Sequence, residues 1–154
     1  MRWLAPVPAL IAGPAYAEVF LTLAQAQAQM FPGELMTKVE LQASGRAPKV
    51  WRASGGGWLF LDQVLGKHEQ IAYALALDAQ GTVTGLEILE YREHWGSEVR
   101  NARWRAQFKG RSAATPPEFG RDIANISGAT LSCRHLTEGV KRLLATHAQL
   151  ARGA

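Results

Sequence analysis

Ile71-Ala-Tyr-Ala-Leu-Ala-Leu77, Asp78-Ala-Gln-Gly81 and Val83-Thr-Gly-Leu-Glu-Ile-Leu-Glu-Tyr91 form the stretch on which the fold turns. Ile71, Tyr73, Leu75 and Leu77 recur at period two, which puts them on one face of a strand, with alanines on the other. Asp and Gly at positions 78 and 81 supply turn chemistry, so residues 83–91 return as the antiparallel partner. Upstream, residues 50–53 and 58–64 predict a second hairpin around Ser54-Gly-Gly-Gly57, and residues 35–41 a further strand before a Ser-Gly-Arg-Ala-Pro turn. The glycine run lacks the Gly-Lys-Ser/Thr that completes a phosphate loop, so it reads as a turn.

Helices flank this run of strands. Thr22 suits the N-cap of a helix through Leu-Ala-Gln-Ala-Gln-Ala-Gln-Met-Phe, which Pro32-Gly33 ends. Leu23, Ala26, Met30 and Phe31 share one side of it. Residues 98–108, rich in Arg and Trp, predict another helix, and 111–120, with Pro116-Pro117, a surface loop. Residues 127–151 predict a long terminal helix, its stripe formed by Leu136, Val140, Leu143, Leu144 and His147. The expected class is α+β, an antiparallel sheet with packed helices.

The 154 residues suggest one domain. An apolar share of 47% with a net charge of only +4 argues against disorder. Lys and Arg are interleaved with Asp and Glu, and no basic block exceeds three residues, so no nucleic-acid partner is expected. The single cysteine, Cys133, excludes an internal disulfide, a multi-thiolate zinc site and c-type haem attachment. It reads first as a small buried hydrophobe, with a redox or metal role as the alternative.

Residues 1–17 read as a secretory signal: Arg2, an apolar stretch from Trp3 to Ala12, Pro14, and the small-x-small Ala15-Tyr16-Ala17. The stretch falls short of the about 20 apolar residues that span a bilayer, and Pro6 and Pro8 oppose a buried helix. The expected domain is 18–154, soluble and exported to the periplasm or its equivalent.

Chemistry concentrates in Ile126-Ser-Gly-Ala-Thr-Leu-Ser132 at the head of the last helix. Ser127 reads as the N-cap, with Gly128 and Ala129 opening the first turn. The first N–H groups of a helix have no internal acceptor, and its dipole adds positive charge there. Small residues let an anion reach that backbone, and Thr130 projects a hydroxyl from the same turn. The plain alternative is a capped helix and nothing more.

These residues resemble a family. Ser-Gly-Ala-Thr followed by x-Ser at the head of a C-terminal helix is similar to the flavinylation motif of FMN-binding domain proteins, the NqrC- and RnfG-type periplasmic subunits among them. Asp78-Ala-Gln-Gly-Thr-Val-Thr-Gly-Leu86 resembles that family's strand-turn-strand, and Tyr91-Arg-Glu-His-Trp-Gly-Ser-Glu-Val99 its glutamate-containing Gly loop. Trp104-Arg-Ala-Gln-Phe-Lys-Gly110 is similar to the W/F-x-x-Q-F-x-G that follows. The resemblance implies FMN joined through its phosphate to Thr130, installed from FAD by an exported ApbE-type flavin transferase. Ser127, Gly128, Ala129 and Leu131 would surround the attachment, and Glu93, Trp95, Gly96 and Glu98 would face the flavin, with Gln107, Phe108 and Lys109 at the margin.

Two places depart from the family pattern. The transferase motif carries Asp three residues before its serine, where this chain has Ala124, with Asp122 two residues earlier as a possible substitute; the Gly loop reads Glu-His-Trp-Gly in place of Glu-Thr-Pro-Gly. Arg100, Arg103 and Arg105 read as a solvated face or as phosphate holders, and His94 and His135 as structural histidines or proton carriers. The implied function is an exported, free-standing electron carrier with FMN on Thr130, exchanging electrons with an unidentified donor and acceptor. The alternative is a non-redox module that holds FMN or another anion reversibly at the helix N-terminus. No acid–base pair or Ser-His-Asp arrangement points to a stand-alone enzyme.

Overall fold

The computed structural model describes residues 18–43, 45–91 and 97–153. The expected signal segment, and Glu93, His94, Trp95 and Gly96, lie outside the described residues. Six strands form one sheet: β1 Glu18–Val19, β2 Met36–Val39, β3 Lys49–Ala53, β4 Trp58–Leu65, β5 Gln70–Leu77 and β6 Val83–Tyr91. Their order is β1-β6-β5-β4-β3-β2 with every neighbour antiparallel, a meander from β2 to β6 closed at one side by β1. Among the described residues three α-helices accompany it: α1 Leu23–Met30, α2 Ala102–Arg105 and α3 Thr130–Arg152. The α+β class read from the sequence is the class observed.

The deciding hairpin pairs as read, with Leu75 opposite Leu86 and Ile71 opposite Tyr91. Ile71, Tyr73, Leu75 and Leu77 are all fully buried and face α3, packing with Phe60, Leu136, Val140, Leu143 and Leu144. The alanine face is buried too. Ala74 and Ala76 lie with Ala26 and Phe31 of the α1 segment and with Trp51, Leu59 and Leu89. Small side chains there let α1 lie close to the sheet, so both faces of the central strands are dry.

Thr22 caps α1 through a reciprocal pair: its hydroxyl accepts from the Gln25 N–H at 3.2 Å, and Gln25 Oε1 accepts from the Thr22 N–H at 2.8 Å. Helix α3 approaches the sheet most closely at Gly139. A Cβ there would stand 2.5 Å from the Tyr73 hydroxyl and 2.8 Å from Val64 Cγ1. Tyr73 in turn donates to Asp62 Oδ2 at 2.8 Å, and Arg142 donates to the same oxygen at 2.6 Å. That carboxylate therefore ties sheet and helix together beneath the crossing point.

Three expectations need correction. The last helix begins at Thr130, three residues beyond Ser127, because Gly128 adopts φ +86 and so ends any helical run through it. Residues 98–108 are not one helix. Asn101 accepts from the N–H groups of Arg103 and Trp104, starting α2 afresh between 3₁₀ turns at Ser97–Arg100 and Ala106–Phe108. The strand expected over 35–41 is four residues long, with Leu35 78% exposed outside it.

Candidate functional site

The site is built on the N-terminal end of α3. The chain reaches it through Gly128 in the left-handed region, where a Cβ would meet nothing within 4 Å, so conformation and not space demands glycine. The Ala129 N–H donates to the Ile126 carbonyl at 2.9 Å, closing a tight turn. Ala129 is the N-cap, and Ser127 is not, contrary to the sequence reading; no cap side chain accepts from the first turn, which holds no acidic residue. The leading N–H groups are thus left to an external acceptor. Ser127, Gly128, Thr130 and Leu131 are exposed around them, while Ala129 is buried as the hinge on the core.

The segment leading into this turn is held from behind. Trp104 Nε1 donates to the Ala124 carbonyl at 2.8 Å, and Gln107 Oε1 accepts from the Ala124 N–H at 2.9 Å. The Gln107 amide then donates to the Trp104 carbonyl at 2.9 Å. Phe108, fully buried, meets the Trp104 ring edge-on with centroids 5.2 Å apart. Gln107 and Phe108, placed at the margin of the flavin site by sequence, are therefore the clamp and its footing, and Lys109 is exposed beyond them.

Asp122 is occupied with its own loop. It accepts from the Glu118 N–H at 2.9 Å and stands 3.4 Å from Arg111. The Glu118 amide first, and then Arg111 and Arg121, hold its carboxyl below the usual carboxylate range. Ala124 itself is exposed, so the position that carries the motif's acid elsewhere presents only a methyl group here.

Helix α3 also meets the end of β6. The hydroxyls of Tyr91 and Ser132 are 3.3 Å apart, both side chains buried. Glu98, exposed in the first 3₁₀ turn, exerts its charge on Cys133 one helical turn along from Thr130. Burial pushes the Cys133 thiol up, and Glu98 adds in the same direction. Of the loop expected to face the flavin, Glu98 is thus brought to this end of the molecule.

The arginines divide. Arg105 donates to the Leu86 carbonyl at 2.7 Å and pairs with Glu87 at 2.9 Å, and Arg100 lies over the Phe20 ring at 3.3 Å; both hold structure together. Arg103 is exposed. The Arg134 guanidinium lies 5.2 Å from the Phe119 ring centroid. His135 Nδ1 lies 2.5 Å from the Leu65 carbonyl, a tie between α3 and the end of β4.

A family model for the FMN-binding domain matches residues 66–145, from the turn before β5 to the third quarter of α3. This chain belongs to the FMN-binding domain family. No curated protein matches it. The match unites the deciding hairpin, the Trp104–Gln107 clamp and the Ser-Gly-Ala-Thr turn, and it identifies FMN as the cofactor. The donor set of this FMN-binding domain suits a flavin phosphate: a hydroxyl at the first helical position, backbone donors without a capping side chain, and no carboxylate in the first turn. Among the described residues no group of three or more His, Cys, Asp or Glu could hold a metal ion, and no helix is long and apolar enough to cross a membrane.

Proposed function

We propose that this FMN-binding domain is an exported electron carrier with FMN joined by a phosphodiester to Thr130. The observation that carries the reading is the uncapped start of α3, where an exposed threonine hydroxyl follows a left-handed Gly128 turn. In the attachment step the Thr130 Oγ–P bond forms as the pyrophosphate P–O bond of FAD breaks. AMP departs, and the hydroxyl proton leaves with it or passes to the transferase. The flavin supplies the redox chemistry once bound. The chain's own part is to hold the phosphate end on α3, with Ser127, Gly128, Ala129 and Leu131 around it and Glu93, Trp95, Gly96 and Glu98 toward the ring. A covalent link suits an exported protein, because lost cofactor is not readily replaced outside the cytoplasm, and it makes deep burial of the flavin unnecessary. The signal at residues 1–17 and the family match support this placement, with an ApbE-type transferase as maturation partner and an unidentified redox donor and acceptor.

One observation favours a second reading, reversible holding of FMN by a module without redox function. Ala124 offers no acid, and Asp122 is committed to the Glu118 amide and Arg111. Intact mass spectrometry of the protein exported alongside a flavin transferase separates the two. The expected result is a gain of one FMN less water in the wild type and none in Thr130→Ala. An unmodified wild-type mass, with flavin that is lost on dialysis, would establish the reversible reading instead.

A further inference from the structure

A cleft of about 770 Å³ opens between the C-terminal half of α3 and the chain that joins β2 to β3. Ligand pockets commonly enclose about 300–1,000 Å³. Arg142, on the helical wall, stands about 18 Å along α3 from Thr130 at about 1.5 Å per residue, so the cleft is separate from the start of the helix. Its floor is a buried carboxylate. The Asp62 side chain is 9% exposed, and the hydrogen bonds from the Tyr73 hydroxyl and from Arg142 both end on Oδ2. No described residue donates to Oδ1 of this carboxylate, which lines the cleft. Arg142 gives one N–H to Asp62, and its other N–H groups have no acceptor among the described residues. Arg46 lines the cleft from the β2–β3 chain, steadied by the Gln63 side chain, and Glu40 stands on the same wall. Two guanidiniums and two carboxylates thus line a cleft of zero net charge, with Leu41, Pro48 and Leu150 supplying apolar surface.

We propose that this cleft binds a short zwitterionic peptide, with its ammonium end at Asp62 Oδ1, its carboxylate on Arg142 and apolar side chains against Leu41, Pro48 and Leu150. Balanced charges of both signs favour a zwitterion, because a simple anion would meet two carboxylates and a simple cation two guanidiniums. A guanidinium pinned by a buried carboxylate is already oriented when a second carboxylate arrives, so little freedom is lost on binding. Asp62 is itself held from behind by Tyr73, which fixes the negative pole of the site. The site is independent of the flavin and of how the flavin is attached.

The test is isothermal titration calorimetry with leucyl-leucine and with the same dipeptide acetylated at its amino end, amidated at its carboxyl end, or blocked at both, for wild type and Arg142→Gln. The wild type is expected to bind the free dipeptide and to bind either singly blocked form about tenfold more weakly, the worth of one charge-assisted hydrogen bond. Arg142→Gln is expected to bind the free and amidated peptides alike while still rejecting the acetylated one. The blocked peptides probe the unaltered protein, so the result does not hang on how any variant folds. No binding of the free dipeptide, or equal binding of the free and doubly blocked forms, would overturn the peptide site. Sensitivity to one end alone would overturn the zwitterion as the ligand class, and a variant that still rejects the amide would overturn the role of Arg142.

Discussion

At the scale of single residues, the motif is the part of the molecule easiest to see and its support the hardest. Ser127, Gly128, Ala129 and Thr130 are contiguous, so their association needs no fold. Gln107 was visible as part of a recurring pattern, but its meaning depends on Ala124, seventeen residues away, whose N–H it accepts. Replacing Gln107 by Leu keeps the volume and removes both hydrogen bonds. The expected loss is about 0.5–1.5 kcal/mol of stability, at the low end because Ala124 is exposed and water can replace the lost partner. Urea unfolding of wild type and Gln107→Leu measures it. A change indistinguishable from zero would mean that Trp104 alone fixes the peptide.

At the scale of elements, the meander was legible because its strands alternate and its turns carry Gly, Asp and Ser. Helix boundaries were less so. Periodicity extends through Ser127 and Gly128 without showing that Gly128 takes a positive φ, and nothing in the spacing of 98–108 shows Asn101 capping a new helix. Strand β1 was missed because two residues carry no pattern. The α3 crossing gives the sharpest element-level expectation. Gly139→Ala should gain up to about 1 kcal/mol from helix propensity, yet its methyl would lie 2.5 Å from the Tyr73 hydroxyl. Overpacking of this kind costs about 1–3 kcal/mol, so the net change should be a lower melting temperature. A melting temperature that rises would show that α3 lifts from the sheet without loss.

At the scale of the whole molecule, one buried imidazole links stability to pH. His147, 6% exposed, closes α3 onto the Asp78–Gly81 turn: its ring meets Trp58 edge-on at 5.2 Å and fills the space a Gly81 Cβ would need. Its Nε2 has no hydrogen-bond partner. Burial first, and then the charge of Arg52, hold its pKa below the ordinary 6.5, against a smaller opposing pull from Asp78. The neutral form is thus the one the fold accommodates, and the unfolded chain takes up the proton more readily. Stability from this group is complete above about pH 6.5 and is lost as pH falls through the lower, folded value. Denaturant unfolding at pH 7.5 and 5.5 should show the wild type losing more stability than His147→Leu over that interval. Equal losses would place the acid sensitivity in other groups.

The two borders of the sheet bear on how the protein behaves in company. An open strand offers its backbone to any other strand, which is how folded proteins come to associate edge to edge. Along β6 that offer is largely taken up within the chain: β1 pairs with Glu90 and Tyr91, the Leu89 carbonyl accepts from Phe20, Arg105 occupies the Leu86 carbonyl, and Val83 bonds to Gly110 and Arg111. The opposite border, β2, is only four residues long, with Thr37 and Lys38 exposed on it. Each border thus carries its own guard against edge-to-edge pairing, one by occupation and the other by brevity and charge.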